Sequence, residues 1–402
     1  MKSTRRSFSS ALVCSLVVGA SGLIMIAGCS GRNIHKDLTP ETRIMVRKWT
    51  LPTHGPFEAG DKGFEYSNPV LLDNTLIFGN HSTGLTSLYP GLVQTRWTLP
   101  IRGGVVSEID VDKTDLFFGG GDGFLYSVNS ENGHVNWRYD LKNPVVSKPT
   151  VSGGRVFVTT SDDTVYAFDS ATGKWLWHYR RRTSPTATIF GASSPLVDGN
   201  EVLTGMSDGF LVSLSINDGQ MKWERKLHQG TKFTDVDAHP VLENGIIYIP
   251  SYDGALYALK RANGDVLWRF DAGGGSKQVV IEDQKIYLPS SNGMIYALQK
   301  SNAKILWQFE MDKGSPTQVV VTDRHVLVGS SFQFLYAIDK ETGKGVYRFN
   351  AGDGSGFAGS PAFDVAHQRL YMLSSAGNLY AFAMRQPPRK VRRHGSTEPY
   401  IF

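Results

Sequence analysis

The 402-residue chain is 41% hydrophobic, 20% charged and 11% aromatic, a balance that excludes general disorder and collagen-like repetition and suits one large repetitive domain or two ordinary ones. Its formal charge of +5 belongs to the ends: outside residues 1–28 and 385–402 the body holds 34 basic and 36 acidic side chains, so no nucleic-acid-binding face is indicated. Both cysteines, Cys14 and Cys29, lie near the N-terminus, which excludes disulfides and cysteine-ligated zinc from everything after them.

The chain opens on a short cationic segment with Lys2, Arg5 and Arg6, followed by an apolar run from Ala11 to Gly28 diluted with Ala, Gly and Ser. A charged start, an apolar middle and a small-residue end describe an export signal better than a membrane span, which needs about 20 strongly apolar residues. The segment ends in Ile26-Ala27-Gly28-Cys29. That motif resembles the bacterial lipobox, in which the cysteine thiol takes up diacylglycerol and becomes the new N-terminus. The other reading is an ordinary signal with an incidental cysteine. Ser30 at the next position is compatible with sorting to the outer membrane, and Thr4-Arg5-Arg6-Ser7-Phe8 also resembles a twin-arginine signal. The expected organisation is a signal over 1–28, a lipidated start and tether over 29–44, a folded body over 45–384 and a basic tail over 385–402.

Within the body one unit is written eight times. A strand-like segment recurs, as in Gly123-Phe-Leu-Tyr-Ser-Val128, Gly254-Ala-Leu-Tyr-Ala-Leu259 and Gly377-Asn-Leu-Tyr-Ala-Phe382. Most copies lead through a turn to an aromatic residue, with a glycine four positions before it, as Gly173 stands to Trp177. The aromatic series runs Trp49, Trp97, Trp137, Trp177, Trp223, Trp268, Trp307 and Tyr347, with gaps of 39 to 48 residues. In the sixth unit four short strands are separable, Gln278–Ile281, Lys285–Leu288, Met294–Leu298 and Ile305–Phe309, with turn residues between them. Four strands per roughly 40 residues is the arithmetic of a propeller blade. The expected fold is therefore all-β: an eight-bladed β-propeller of four-stranded antiparallel blades. Trp49 sits in an outermost strand with no blade before it, and the last unit ends at Phe382 without a Trp-bearing strand, so the N-terminal strand is expected to complete the C-terminal blade. The aromatic series is read as packing between blades, since a ligand does not need eight equivalent copies.

The pattern Val165-Tyr-Ala-Phe-Asp169 through Thr172-Gly173 to Trp177 resembles the quinoprotein-type propeller repeat, over about residues 45–384. Two branches share that repeat: pyrroloquinoline quinone-dependent alcohol dehydrogenases, and the BamB family of non-enzymatic outer-membrane lipoproteins of the β-barrel assembly machinery. The enzyme branch implies a vicinal cysteine pair, carboxylate ligands for calcium and an Asp base, but no cysteine follows Cys29. The ten histidines form no metal-ligand pair, no Gly-x-Ser-x-Gly elbow exists, and Gly273-Gly-Gly-Ser-Lys277 lacks the order of a phosphate loop. Asp-Gly pairs at Asp122, Asp208 and Asp253 fall at one place in successive units and are explained by turn formation. No catalytic residue, metal or cofactor is expected.

Two connections are similar to BamB segments. Arg180-Arg-Arg-Thr-Ser-Pro185, continuing to Phe190-Gly191, matches with a one-residue gap, so Arg180, Arg181 and Arg182 compete for one role; Trp177 and Tyr179 stand where the family has leucines. Thr234-Asp-Val-Asp-Ala-His-Pro240 is the second, with Asp235 and Asp237. The resemblance implies that these residues bind the periplasmic repeats of BamA within the BAM complex, in a monomer that joins a hetero-complex and meets unfolded outer-membrane protein clients. Hydrogen-bonded turn formation is the other reading of the two aspartates. The tail Pro387-Pro-Arg-Lys-Val-Arg-Arg-His394 reads as a solvated extension, or as a contact for anionic headgroups beside the anchor. An enzyme of the quinoprotein type, or a propeller lipoprotein with another envelope partner, are the rival readings.

Overall fold

The computed structural model describes residues 44–53, 67–181, 192–228, 235–276, 278–357 and 359–385. The expected signal over 1–28, Cys29, Arg182 and the tail from 386 lie outside them. Among the described residues thirty-two strands form eight four-stranded sheets, and no helix occurs. Seven sheets are built from four consecutive strands: blade 1 runs from Val70 to Leu99, blade 2 from Asp110 to Asp140, blade 3 from Thr150 to Arg180 and blade 4 from Leu196 to Lys226. Blade 5 runs from Val241 to Asp271, blade 6 from Val280 to Glu310 and blade 7 from Val320 to Asn350. Blade 8 takes three strands from Ala362 to Met384 and its outer strand, Met45–Pro52, from the other end of the chain. Met45 pairs with Met384 and Pro52 with Asn378, so the ring closes as the sequence requires.

Consecutive strands are antiparallel, so the turns alternate between two ends of the ring. One end, the crossover face, carries the second-to-third-strand turns and the connections between blades. The other, the hairpin face, carries the first-to-second and third-to-fourth turns.

The core is shared out among the seams. Each of eight apolar clusters joins two neighbouring blades, as Leu203, Leu211 and Val236 pack with Ile247, Tyr257 and Leu259 between blades 4 and 5. The seam between blades 8 and 1 is packed like the rest, with Tyr371, Leu379 and partly buried Trp49 against Leu76, Phe78 and Leu88.

The recurring aromatics act at these seams. Trp49 donates its indole N–H to Pro90 O at 3.1 Å, Trp137 to Ser170 O at 2.8 Å and Trp177 to Ile216 O at 2.9 Å, each reaching the third-to-fourth turn of the next blade. The Thr-Gly glycine completes the contact. A Cβ on Gly173 would lie 2.5 Å from the Trp137 ring, and Gly173 has φ +69°, so both space and backbone demand glycine there. The glycine four residues before an aromatic therefore serves the aromatic of the preceding blade, not its own. The small residue of the Tyr-Ala/Ser pair faces its own blade's aromatic: Ala167 pairs across strands with Trp177, Ser127 with Trp137 and Ala381 with Trp49.

A second repeated device was not visible as a motif. Three residues before an inner strand, Ser67, Ser107 and Thr317 accept from the backbone N–H of Gly79, Gly119 and Gly329 at 2.8–3.2 Å. Each hydroxyl ties the incoming connection to the second strand of its blade, and Ser-x-Pro at Ser67 and Ser147 is its faint trace in the sequence, whereas Ser193 of the same pattern donates instead to Ala238 O at 2.6 Å.

Candidate functional site

The connections singled out in the sequence emerge on the crossover face around blades 3 to 5. Arg180 ends the outer strand Trp175–Arg180, where the chain leaves blade 3. Its side chain is 63% exposed and stands 3.5 Å from Asp162 in the second-to-third turn of the same blade. Arg181 behaves differently. Its guanidinium turns into the seam with blade 4, hydrogen-bonds Asp208 and Glu224 and lies 4.3 Å over the Phe210 ring. Burial alone would lower its pKa, but the hydrogen bonds to Glu224 and Asp208 outweigh it and raise the pKa above the ordinary arginine value. Arg181 is thus a staple between two blades, and Arg180 is the arginine among the described two that faces solvent. Arg182 lies outside the described residues.

Asp235 and Asp237 stand in the connection from blade 4 to blade 5. That strand of chain is held on both sides: Val236 N–H donates to Met206 O at 3.0 Å, and Tyr252 N–H donates to Asp235 O at 2.9 Å. The approach is so close that a Cβ on Gly205 would sit 2.0 Å from Val236 O. Asp235 is buried, 2% exposed, while Asp237 is partly exposed. Of the two aspartates Asp237 has the access that an outside partner needs.

Between these connections lies a group of carboxylates, of which the sequence reading explained Asp208 and Asp253 by turn formation and did not single out Asp163. Asp163 accepts from both the N–H and the hydroxyl of Ser207 in the next blade. Burial raises its pKa, the Ser207 hydrogen bonds oppose that, and neighbouring Asp208 and Asp162 add to the rise. Asp253 accepts from Tyr257 OH at 2.7 Å, with Arg269 at 3.5 Å and its guanidinium 5.6 Å from the Tyr257 ring. Burial, then the Asp253 hydrogen bond, pushes the Tyr257 phenol up to about 12. Asp122 repeats the arrangement with Tyr126 at 2.6 Å. Two of the three Asp-Gly turns, at Asp122 and Asp253, therefore also tether a tyrosine of the following strand, while Asp208 takes Arg181. The signal for this was the shared Asp-Gly-x-x-Tyr spacing.

The axis is a polar girdle built from the residue two before each inner strand. Lys148 Nζ meets Asp110 at 2.9 Å, Gln318 donates to Gln278 at 2.8 Å, and His239 Nδ1–H donates to Ser194 O at 3.2 Å. Ser360 of blade 8 donates to Glu108 of blade 2, reaching past blade 1. Burial, aided by the Lys148 charge, lowers the His239 pKa to about 4, so the ring is neutral at physiological pH. No set of three His, Cys, Asp or Glu side chains converges on one point among the described residues. Among the axial carboxylates, Asp110 is engaged by Lys148 and Glu108 by Ser360.

The profile of the family described as "Outer membrane protein assembly factor BamB" matches residues 94–309 and 291–386. The chain belongs to the BamB family. Relatives in that family include the assembly factor of Legionella pneumophila (strain Paris), 33% identical over 92 residues, or 21% of this chain and 24% of the relative. That of Escherichia coli (strain K12) is 28% identical over 95 residues, 22% of this chain and 24% of the relative. The matched stretch thus spans about a quarter of the length of these curated BamB relatives. In three dimensions the chain is similar to BamB from Moraxella catarrhalis, with TM-score 0.72 and 18% identity over 85% of this chain and all of that one. It is also similar to a quinohemoprotein alcohol dehydrogenase from Comamonas testosteroni, with TM-score 0.66 and 14% identity over 86% of this chain and 78% of the enzyme. At such identities the two structures speak for the propeller fold alone, which BamB shares with the dehydrogenases.

Proposed function

We propose that the protein is a non-enzymatic assembly factor for outer-membrane β-barrel proteins, lipidated at Cys29 after loss of residues 1–28 and held at the periplasmic face of the outer membrane. It works by binding. A rigid ring presents its crossover face to the periplasmic repeats of BamA, and unfolded clients are passed along the assembly that results.

The observation that carries this reading is the division of labour at the candidate site. Arg181 is consumed by the blade seam, whereas adjacent Arg180 is exposed on the same face as the Asp235–Asp237 connection. A solvent-facing guanidinium beside carboxylates gives a mixed-charge surface that fixes orientation, and arginine is suited to bidentate carboxylate contacts.

Arg180→Glu is expected to weaken capture of purified BamA about tenfold, or about 1.4 kcal/mol, with the melting temperature unchanged. Arg181→Glu is expected to lower the melting temperature instead, because it leaves Asp208 and Glu224 without their cation. Full capture by folded Arg180→Glu protein would move the interface elsewhere.

A further inference from the structure

The hairpin end of the ring has a feature that the propeller architecture does not require. Every large apolar side chain exposed among the described residues lies at the hairpin end. The outer strands of blades 3 to 6 each open on such residues at the third-to-fourth turn, from Trp175 in blade 3 through Leu267 in blade 5 to Leu306 in blade 6, 43–46% exposed. Tyr89 and Leu92 mark the equivalent turn of blade 1, and Val365 the first turn of blade 8; Leu92 and Val365 are 74% and 73% exposed. The crossover end, where Arg180 and Asp237 stand, has none among the described residues.

The chain also leaves the ring at the hairpin end. Arg385 N–H donates to Ile44 O at 2.8 Å, so both ends of the described body emerge together beneath blade 8. Exposed Arg47, Lys48 and Arg385 flank that exit. Cys29 is 15 residues upstream of Ile44. Fifteen residues reach at most about 50 Å, and a six-residue blade strand is only about 20 Å long. A lipid on Cys29 would therefore hold the ring near a bilayer and leave it free to turn.

We propose that the hairpin face is a lipid-facing surface, whose apolar tips enter the headgroup region and fix the orientation that the tether leaves open. This rests on the Cys29 anchor and deepens that reading. The tips are spread over six blades and separated by charged turns, a distribution that suits shallow insertion at many points. A protein partner would call for one contiguous, closely packed patch. The basic residues at the exit complement anionic headgroups. With this end on the bilayer, the crossover face points away from the membrane, toward partners in the periplasm.

The body after Cys29 contains no cysteine, so single probes can be placed at will. Lipidated protein carrying Leu267→Cys at the hairpin end or Ser291→Cys at the crossover end is labelled with an environment-sensitive dye. It is then incorporated into vesicles of phosphatidylethanolamine and phosphatidylglycerol. The expected result is iodide quenching about threefold weaker at position 267 than at 291, with quenching by a lipid-borne nitroxide at 267 only. Failure of the protein to sediment with the vesicles defeats the anchor reading, and this inference with it. Sedimentation with both probes equally open to iodide overturns the inference and leaves the anchor standing. Protection at 267 that appears only after BamA is added assigns this end to a protein partner and likewise overturns it.

Discussion

A single glycine shows how the repeat is held. At Gly173 the backbone is left-handed and the Trp137 ring occupies the space of a side chain, whereas at Gly153, in a first-to-second turn at φ +58°, an added Cβ would meet nothing within 4 Å. Alanine at either site bears the left-handed penalty, about 1 kcal/mol; only at 173 must it also displace a ring from a seam, for about 1–2 kcal/mol more. Gly173→Ala is therefore expected to lower stability in urea by more than Gly153→Ala, and equal losses would contradict the ring contact. Blade 6 has Ala303 and blade 1 has Val93 at the equivalent position, with φ +58° and +53°, so two blades bear the backbone penalty in the native chain. The Gly-to-aromatic spacing was plain in the sequence. Its meaning was not, because spacing within a unit says nothing of which blade a side chain faces.

Among the elements, the outer strand Met45–Pro52 has the widest reach. It contributes Met45 to the seam between blades 7 and 8, and Trp49 and Leu51 to the seam between blades 8 and 1. Deleting it would open two seams and leave Asn378–Met384 as an unpaired edge. The expected outcome is loss of the native cooperative melting transition and aggregation on heating; an unaltered melting temperature would disprove closure by this strand. Closure was legible from strand counting alone, since one unit lacked an outer strand and one strand lacked a unit. The fate of Arg180 and Arg181 was not legible. Alternation sends neighbouring side chains to opposite sides, and only the position of blade 4 makes one side a seam and the other solvent.

At the scale of the ring, the axis couples blades that are remote in sequence. His239 faces Ser194, with the charges of Lys148 and Asp110 nearby. Its folded pKa, about 4, lies below the value of about 6.5 for an unfolded chain, so the unfolded state binds the proton first as pH falls. The His239 contribution is complete above about pH 6.5 and is lost progressively down to about pH 4, by at most about 3 kcal/mol. Melting temperatures measured across that window are expected to fall less steeply in His239→Gln protein. Parallel pH profiles for the two proteins would show that the girdle does not discriminate against the imidazolium.

The sequence by itself determined the all-β propeller, the number of blades, the closing strand and the family, because strand alternation and the repeat period are local and recur eight times. The partner surface was only half determined. Asp235 and Asp237 differ in burial because Val236 is drawn against Met206 and Gly205 of blade 4, a contact between segments about thirty residues apart. The apolar exposure at the hairpin end was decided by tertiary structure alone. Apolar residues such as Leu267 and Leu306 precede a seam tryptophan and read like core positions. They are left exposed because each outer strand is an edge, with no further blade layer to cover it.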